Sequence, residues 1–182
     1  MSRIPTPASI EASPAASQPL LEAVKRQLGS VPNMFRIIGN SPPALEGYLG
    51  LSGALSGGQL DAKTRTRIAM AVAEANGCDY CLSAHTYLGT NLVKLDAAEL
   101  TANRDGSSGD TRAAAALRFA RKLVVERGRV ASADIEAVKA AGYSAPEVIE
   151  IIMHVALNTL TNYVNTAVAT EIDFPVVAHR SI

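Results

Sequence analysis

The sequence predicts an all-α protein, and three observations carry that prediction. Apolar residues recur at three- and four-residue spacing along most of the chain, and Gly, Asn-Gly or capping Ser and Asp residues interrupt them at helix-like intervals. No segment alternates apolar and polar residues as a half-buried strand would. The 182 residues, 48% of them hydrophobic, are enough for one substantial core. No solenoid repeat and no second-domain boundary is visible, so residues 19–182 read as one helical domain behind an extended arm of residues 1–18.

The arm is rich in Pro, Ser and Ala, and its repeated prolines remove backbone donors and forbid a long helix. From Pro19 the pattern turns helical through Leu20, Leu21, Val24 and Leu28, with Gly29 as the stop. Short helices follow over about 32–38 and 42–55, the second closed by Gly57 and Gly58. Asp61 is the N-cap expected for a helix in which Ile68, Ala69, Met70, Ala71, Val72 and Ala73 run almost without polar interruption, so that helix is buried on most sides. Asn76-Gly77 tolerates positive φ and ends it, and a new helix starts near Cys78 and runs to about Leu92. Asp96 caps a short successor ending near Asn103, and NRDGSSGD is a loop of turn residues. Asp110 starts an Ala-rich helix to about Arg127, and Ser132 starts another that Gly142 ends. Ser144 precedes the longest helix, to about Thr170, with Pro146 tolerated in its first turn.

Charge narrows the function classes. The 17 basic residues balance the 17 acidic ones, so no positive field favours nucleic acid or an anionic membrane surface. No uninterrupted apolar run reaches membrane-spanning length, and the N-terminal stretch lacks the apolar core of a secretory signal. The expectation is a cytoplasmic protein, where a cysteine pair is more often catalytic, redox-sensing or metal-binding than a structural staple.

The chain has only two cysteines, Cys78 and Cys81, and with His85 they occupy the stretch NGCDYCLSAH. At about 100° per residue, Cys81 lies roughly 60° and His85 roughly 20° from Cys78, so the three side chains share one arc of a helix. Cysteines at i and i+3 have Cα atoms about 5 Å apart, within disulfide range. A helix start adds unpaired N–H groups and a partial positive charge that stabilise a thiolate. His85, four residues after Cys81, meets it on the helix face and serves either as its base or as a cation beside its thiolate. On this reading Cys81 is the nucleophile and Cys78 the resolving thiol that attacks oxidised Cys81. Tyr80 points about 160° away and is a packing residue.

With these residues on the page, the sequence resembles the AhpD-like and carboxymuconolactone decarboxylase superfamily in its peroxidase-related, alkylhydroperoxidase branch. The likeness is carried by AEANGCDYCLSAHT within roughly residues 60–95, and continues more weakly in EVIEIIMHVALNTLTNYVNTAVATEIDFPVV. It implies an AhpD-like helical bundle, a homotrimer or homohexamer, and a thiol-dependent peroxidase in antioxidant defence. Cys78 and Cys81 would be the redox couple and His85 part of a proton relay, with a peroxide as substrate and a lipoyl or thioredoxin-like dithiol as reductant. No cofactor is implied.

Two positions depart from the resemblance. The family's relay includes a glutamate twelve residues before the first cysteine, where this chain has Thr66, and a histidine before the second cysteine, where it has Tyr80. A threonine hydroxyl is no base at neutral pH. Glu74, one turn before Cys78, is the acid available to take over, and is counted with Cys81, Cys78 and His85 as a catalytic candidate. On the last helix His154, Asn158, Thr161 or Asn162, and Asn165 form a polar stripe that either lines a cavity or, more commonly for such rows, meets another subunit or solvent. His179 lies in the tail and reads as a surface residue. The competing readings are reduced core cysteines, and a zinc site completed by His154, His179 or Glu74. At the level of function they are a redox or metal sensor and a decarboxylase-like lyase on the same scaffold.

Overall fold

The computed structural model describes residues 2–180. Among them every regular element is helical: α1 Gln18–Leu28, α2 Asn33–Ile38, α3 Pro42–Ser56, α4 Ala62–Ala75, α5 Asp79–Leu88, α6 Ala97–Arg104, α7 Thr111–Val125, α8 Ser132–Ala140 and α9 Ala145–Val168. No described helix is long and apolar enough to cross a membrane.

The helix starts follow the caps read from sequence. Asp61 accepts from Thr64 N at 2.8 Å, Asp96 from Glu99 N at 2.8 Å, and Asp110 from the N–H groups of Arg112 and Ala113. Ser144 and Glu147 form a reciprocal capping box that opens α9. Two ends differ from expectation. Helix α5 stops at Leu88 and passes into a π-type turn, Gly89–Val93, instead of running on to Leu92. The departure begins at Gly89, where a Cβ would lie 2.9 Å from Leu100 Cδ2, so close packing on α6 holds the backbone there. Helix α7 ends at Val125, two residues early, because Arg127 and Gly128 turn the chain at positive φ.

The centre of the fold is α4, which packs against α5, α6, α7 and α9. Its six consecutive apolar residues from Ile68 to Ala73 are all buried. Ile68, Ala71 and Val72 join a cluster with Leu117, Phe119 and Ala120 of α7 and Ile151 of α9, where small alanines on both helices allow close approach. Met70 and Ala73 face a second cluster that contains Cys78, Cys81 and Leu82 of α5 together with Leu21, Met34 and Leu45. The thiols therefore sit inside the second half of the core, with α4 between them and the first.

The N-terminal arm is not extended. It folds back through turns and a short 3-10 segment, Ala15–Ser17, and buries Ile10 in the second cluster. Arg36 donates to the carbonyls of Pro7 and Ala8, and the buried Ser17 hydroxyl donates to Gly39 O at 2.7 Å. Prolines forbid a long helix there, but the apolar Ile10 and these donors give the segment a surface to dock on.

The α4–α5 connection depends on Gly77 at φ +64°. Replacing it by alanine places a Cβ in the left-handed region, and Gly77→Ala is expected to lower stability by about 1–2 kcal/mol. A denaturant titration should show an earlier midpoint with an unchanged slope.

Candidate active site

Cys78 is the N-cap of α5. The chain leaves α4 through Asn76 and Gly77, Cys78 N donates back to Ala73 O at 2.9 Å, and the Cys78 sulfur accepts from Cys81 N at 3.4 Å. Both cysteines are reduced, and each is 2% exposed. The two thiols titrate as a pair. Hydrogen bonds from the Cys81 side chain and N–H pull the Cys78 thiol below its ordinary value against the effect of burial. Cys81 is pushed up by the proton it donates to Cys78, by burial and by the charge of Cys78. The sequence reading gave the activated sulfur to Cys81. The structure makes Cys78 the more acidic of the two, because the N-cap position and the first-turn N–H groups belong to it.

Helix α9 supplies the other side of the site. Asn165 Nδ2 donates to Cys81 Sγ at 3.3 Å, and Asn162 also favours the Cys81 thiolate while its Oδ1 accepts from Asn76 Nδ2 at 2.9 Å. His154, Asn158, Thr161, Asn162 and Asn165 are all buried, none more than 8% exposed. The stripe is thus neither a solvated face nor a subunit contact. It turns inward to the thiols and the cavity beside them.

That cavity has a volume of about 380 Å³, and its walls include Cys81, His85, Tyr48, Tyr80, Asn158 and Thr161. This is within the range of small-molecule sites. Cys78 does not line it, so the sulfur open to a ligand is Cys81. Burial pulls the His85 pKa down to about 4, opposed by a hydrogen bond with Asn158. His85 is therefore a neutral imidazole at pH 7, which leaves the proton-acceptor role and removes the cationic one. Tyr48, half-buried and near Cys81, has its phenol pushed up to about 12 by desolvation and by the Cys81 charge and stays protonated. No local motif marked Tyr48, which reaches the site only through the packing of α3. Thr66 lines the cavity but donates its hydroxyl to Ala62 O at 2.9 Å.

Tyr80 packs edge-on against Phe174, as expected of a packing residue, and it also lines the cavity. Its hydroxyl donates to Asp173 Oδ1 at 2.9 Å and accepts from Met34 N at 3.1 Å.

Glu74 is not brought to the thiols. Its Oε2 pairs with Arg104 Nε at 2.6 Å and its Oε1 accepts from Arg180 N at 2.8 Å, so both oxygens are engaged elsewhere. Together with Arg104 it fixes the C-terminal tail, which crosses α5: Val177 N donates to Ser83 Oγ at 2.9 Å and Arg104 donates to Ala178 O at 2.8 Å. His179 is exposed, as expected of a surface residue, and it pairs with Asp79, with Nδ1 to Oδ1 2.6 Å. Among the described residues no three His, Cys, Asp or Glu side chains converge as a metal site needs.

A reduced Cys-x-x-Cys pair at a buried helix start, in an all-helical fold and beside a ligand-sized cavity, defines a thiol protein of the AhpD-like class. Residues 42–122 match the profile of the carboxymuconolactone decarboxylase family, and the fold is that of the AhpD-like members of that superfamily. It is similar to an alkylhydroperoxidase AhpD core, a peroxidase-related protein from Ralstonia eutropha JMP134, at 26% identity and TM-score 0.80 over 94% of this chain and 92% of that one. A peroxidase-related protein from Silicibacter sp. TM1040 shares the fold at 24% identity and TM-score 0.77, covering 93% and 91% of the two chains. So does the debrominase Bmp8, whose cysteine-to-alanine variant was crystallised with 2,3,4-tribromopyrrole, at 22% identity and TM-score 0.80 over 95% and 94%. No curated protein matches the chain in sequence.

Two outcomes follow from the site's electrostatics. His85 binds its proton less tightly folded, at about 4, than unfolded, near 6.5. Its contribution is present above the unfolded value and is lost as pH falls from 6.5 towards 4, so stability declines across that window. The decline should be shallower in His85→Gln, measured by denaturant titration at each pH. Glu74→Gln should leave the pH midpoint of thiol alkylation where it was and expose the tail to faster carboxypeptidase trimming, read by mass spectrometry.

Proposed function

We propose that the protein is a thiol-dependent peroxidase of the alkylhydroperoxidase kind. The observation that carries this reading is a cysteine pair joined at a helix start, Cys81 N to Cys78 Sγ, with Cys81 lining an organic-sized cavity that also holds the neutral imidazole of His85. As a hydroperoxide enters, the Cys81 proton passes to His85, and Asn165 and Asn162 hold the resulting Cys81 charge. Cys81 sulfur attacks the terminal peroxide oxygen, the O–O bond breaks, and the alkoxide leaves as alcohol with a proton from the site. Cys78 sulfur attacks the Cys81 sulfenic acid, the S–S bond forms, and hydroxide leaves as water with the proton that Cys78 gives up. One hydroperoxide and two thiols thus become alcohol, water and disulfide. An external dithiol, lipoyl or thioredoxin-like, returns the two electrons, and a cytoplasmic setting provides such donors.

The subunits are proposed to associate as a homotrimer or homohexamer. On α9 the face opposite the stripe leaves Ile149, Met153, Leu160 and Tyr163 exposed in one apolar row, which suits a protein contact.

A second reading, reductive debromination, is favoured by the fold shared with Bmp8 and by the aromatic rings of Phe35, Tyr48, Tyr80 and Phe174 that line the cavity with Cys81. The same couple would supply its two electrons and release bromide. A redox sensor would use the pair only once per oxidation.

One equivalent of organic hydroperoxide should remove two hydrogens from the protein mass and block both thiols from alkylation. With a regenerating dithiol, peroxide should be consumed continuously, and Cys81→Ser or Cys78→Ser should abolish turnover. A single stoichiometric oxidation would favour the sensor, bromide release from a bromopyrrole the second reading, and activity surviving both serine substitutions a lyase.

A further inference from the structure

The cavity has two unlike ends. Along α9, Asn165 marks the thiol end and His154 the other, and eleven residues at about 1.5 Å each put them roughly 16 Å apart. Between them the wall is mainly apolar, including Leu49, Ala69, Ala84, Leu88 and Leu157. At the far end the lining becomes polar again, with Arg65 of α4 beside His154.

Each group keeps hydrogen-bonding capacity that the protein does not fill, beyond one backbone bond apiece, His154 with Leu55 and Arg65 with Leu60. His154 is 5% exposed, and its Nε2 is buried with no hydrogen-bond partner. A buried polar atom without a partner costs stability and calls for an explanation. Arg65 gives one N–H to Leu60 O at 2.6 Å, and no carboxylate lies within 4.0 Å of it among the described residues. Arg67, two residues on, is by contrast neutralised by Glu99 at 2.7 Å and Asp110 at 3.8 Å. The nearest acid on α9, Glu150, is committed elsewhere: its oxygens accept from Gln59 N and Leu60 N at 2.8–3.0 Å.

We propose that Arg65 and His154 form a carboxylate subsite, and that the organic substrate reduced at Cys81 carries a carboxylate at its far end with an acyl-length apolar chain between. The guanidinium presents further N–H donors in a planar fork that fits a carboxylate. An anion beside the imidazole raises its proton affinity, so the ring meets the carboxylate as a donor through Nε2–H. The apolar stretch excludes water and holds the chain, which carries the hydroperoxide to Cys81 and ranks acyl-sized substrates above hydrogen peroxide. The substrate half of this proposal rests on the peroxidase reading, whereas the carboxylate site does not.

The test pairs turnover with binding on the full chain. With a dithiol regenerating system, the hydroperoxide of linoleic acid should show kcat/KM about tenfold above its methyl ester, the scale of one charge-assisted contact, with the difference in KM. In Arg65→Met that ratio should fall to about one, and Arg65→Lys should restore part of it. Equal values for acid and ester in the wild type, or a ratio unchanged in Arg65→Met, would overturn the subsite while leaving the peroxidase intact. Calorimetry with linoleate, which has no peroxide, decides the subsite even if nothing is turned over. Wild-type protein should bind it about tenfold more tightly than Arg65→Met or His154→Phe, each checked for an unchanged thermal transition. Equal affinity in all three would overturn it.

Discussion

The hydrogen bond from Cys81 N to Cys78 sulfur, closing the first turn of α5, is the contact on which the site depends. A cysteine is a poor cap beside Ser or Asp, since sulfur is a weak acceptor when neutral. It becomes a good one when it carries charge, and the helix start favours that charge. Capping and acidity thus reinforce each other. The arrangement demands a chain reversal immediately before Cys78, which Gly77 supplies, and a rigid neighbour to reverse from, which is the buried α4. Oxidation of Cys78 would weaken the cap, so the first turn of α5 and the redox state are coupled.

A second constraint comes from α9. Five polar side chains on one stripe of a helix are expensive to bury unless each has work to do. Asn165 meets Cys81, Asn162 meets Asn76 and lies by Cys81, and Asn158 meets His85 and donates to His154 O at 2.8 Å. The asparagines bring dipoles to the thiols without bringing charge. That suits a pair in which one thiol is acidic, because a carboxylate in their place would raise both thiols, as Asp79 already does for Cys78.

The parts legible in the sequence were those with local causes. Asp61, Asp96, Asp110 and Ser144 cap the helices that follow them, and the apolar run of α4 announces its burial wherever it sits. The Cys78, Cys81 and His85 spacing was equally local, although the order of the two thiols was not, since it depends on which sulfur takes the cap. Glu74 shows the limit most plainly. Its distance from Cys78 in sequence suggested a relay, but its partners Arg104 and Arg180 lie 30 and 106 residues further on. The stripe on α9 stood out by composition, while its direction depended on α4 and α5 packing against it. Tyr48 and the tail carried no signal because nothing adjacent to them marks a site.

The division between Cys78 and Cys81 also fits the order of events required of such a pair. A sulfur that faced the cavity and was permanently ionised would be open to any electrophile that entered. Here the sulfur at the cavity is the less acidic of the two, and the more acidic one is covered. In the proposed reaction Cys81 passes one proton to His85, which lines the same cavity and is itself held by Asn158. Burial weakens His85 as a base, at about 4, so it returns the proton readily instead of holding it. A ligand that fills the cavity strengthens every one of these dipole and charge interactions by displacing water. Activation of Cys81 is then tied to occupancy by an organic molecule rather than to the resting acidity of the thiol.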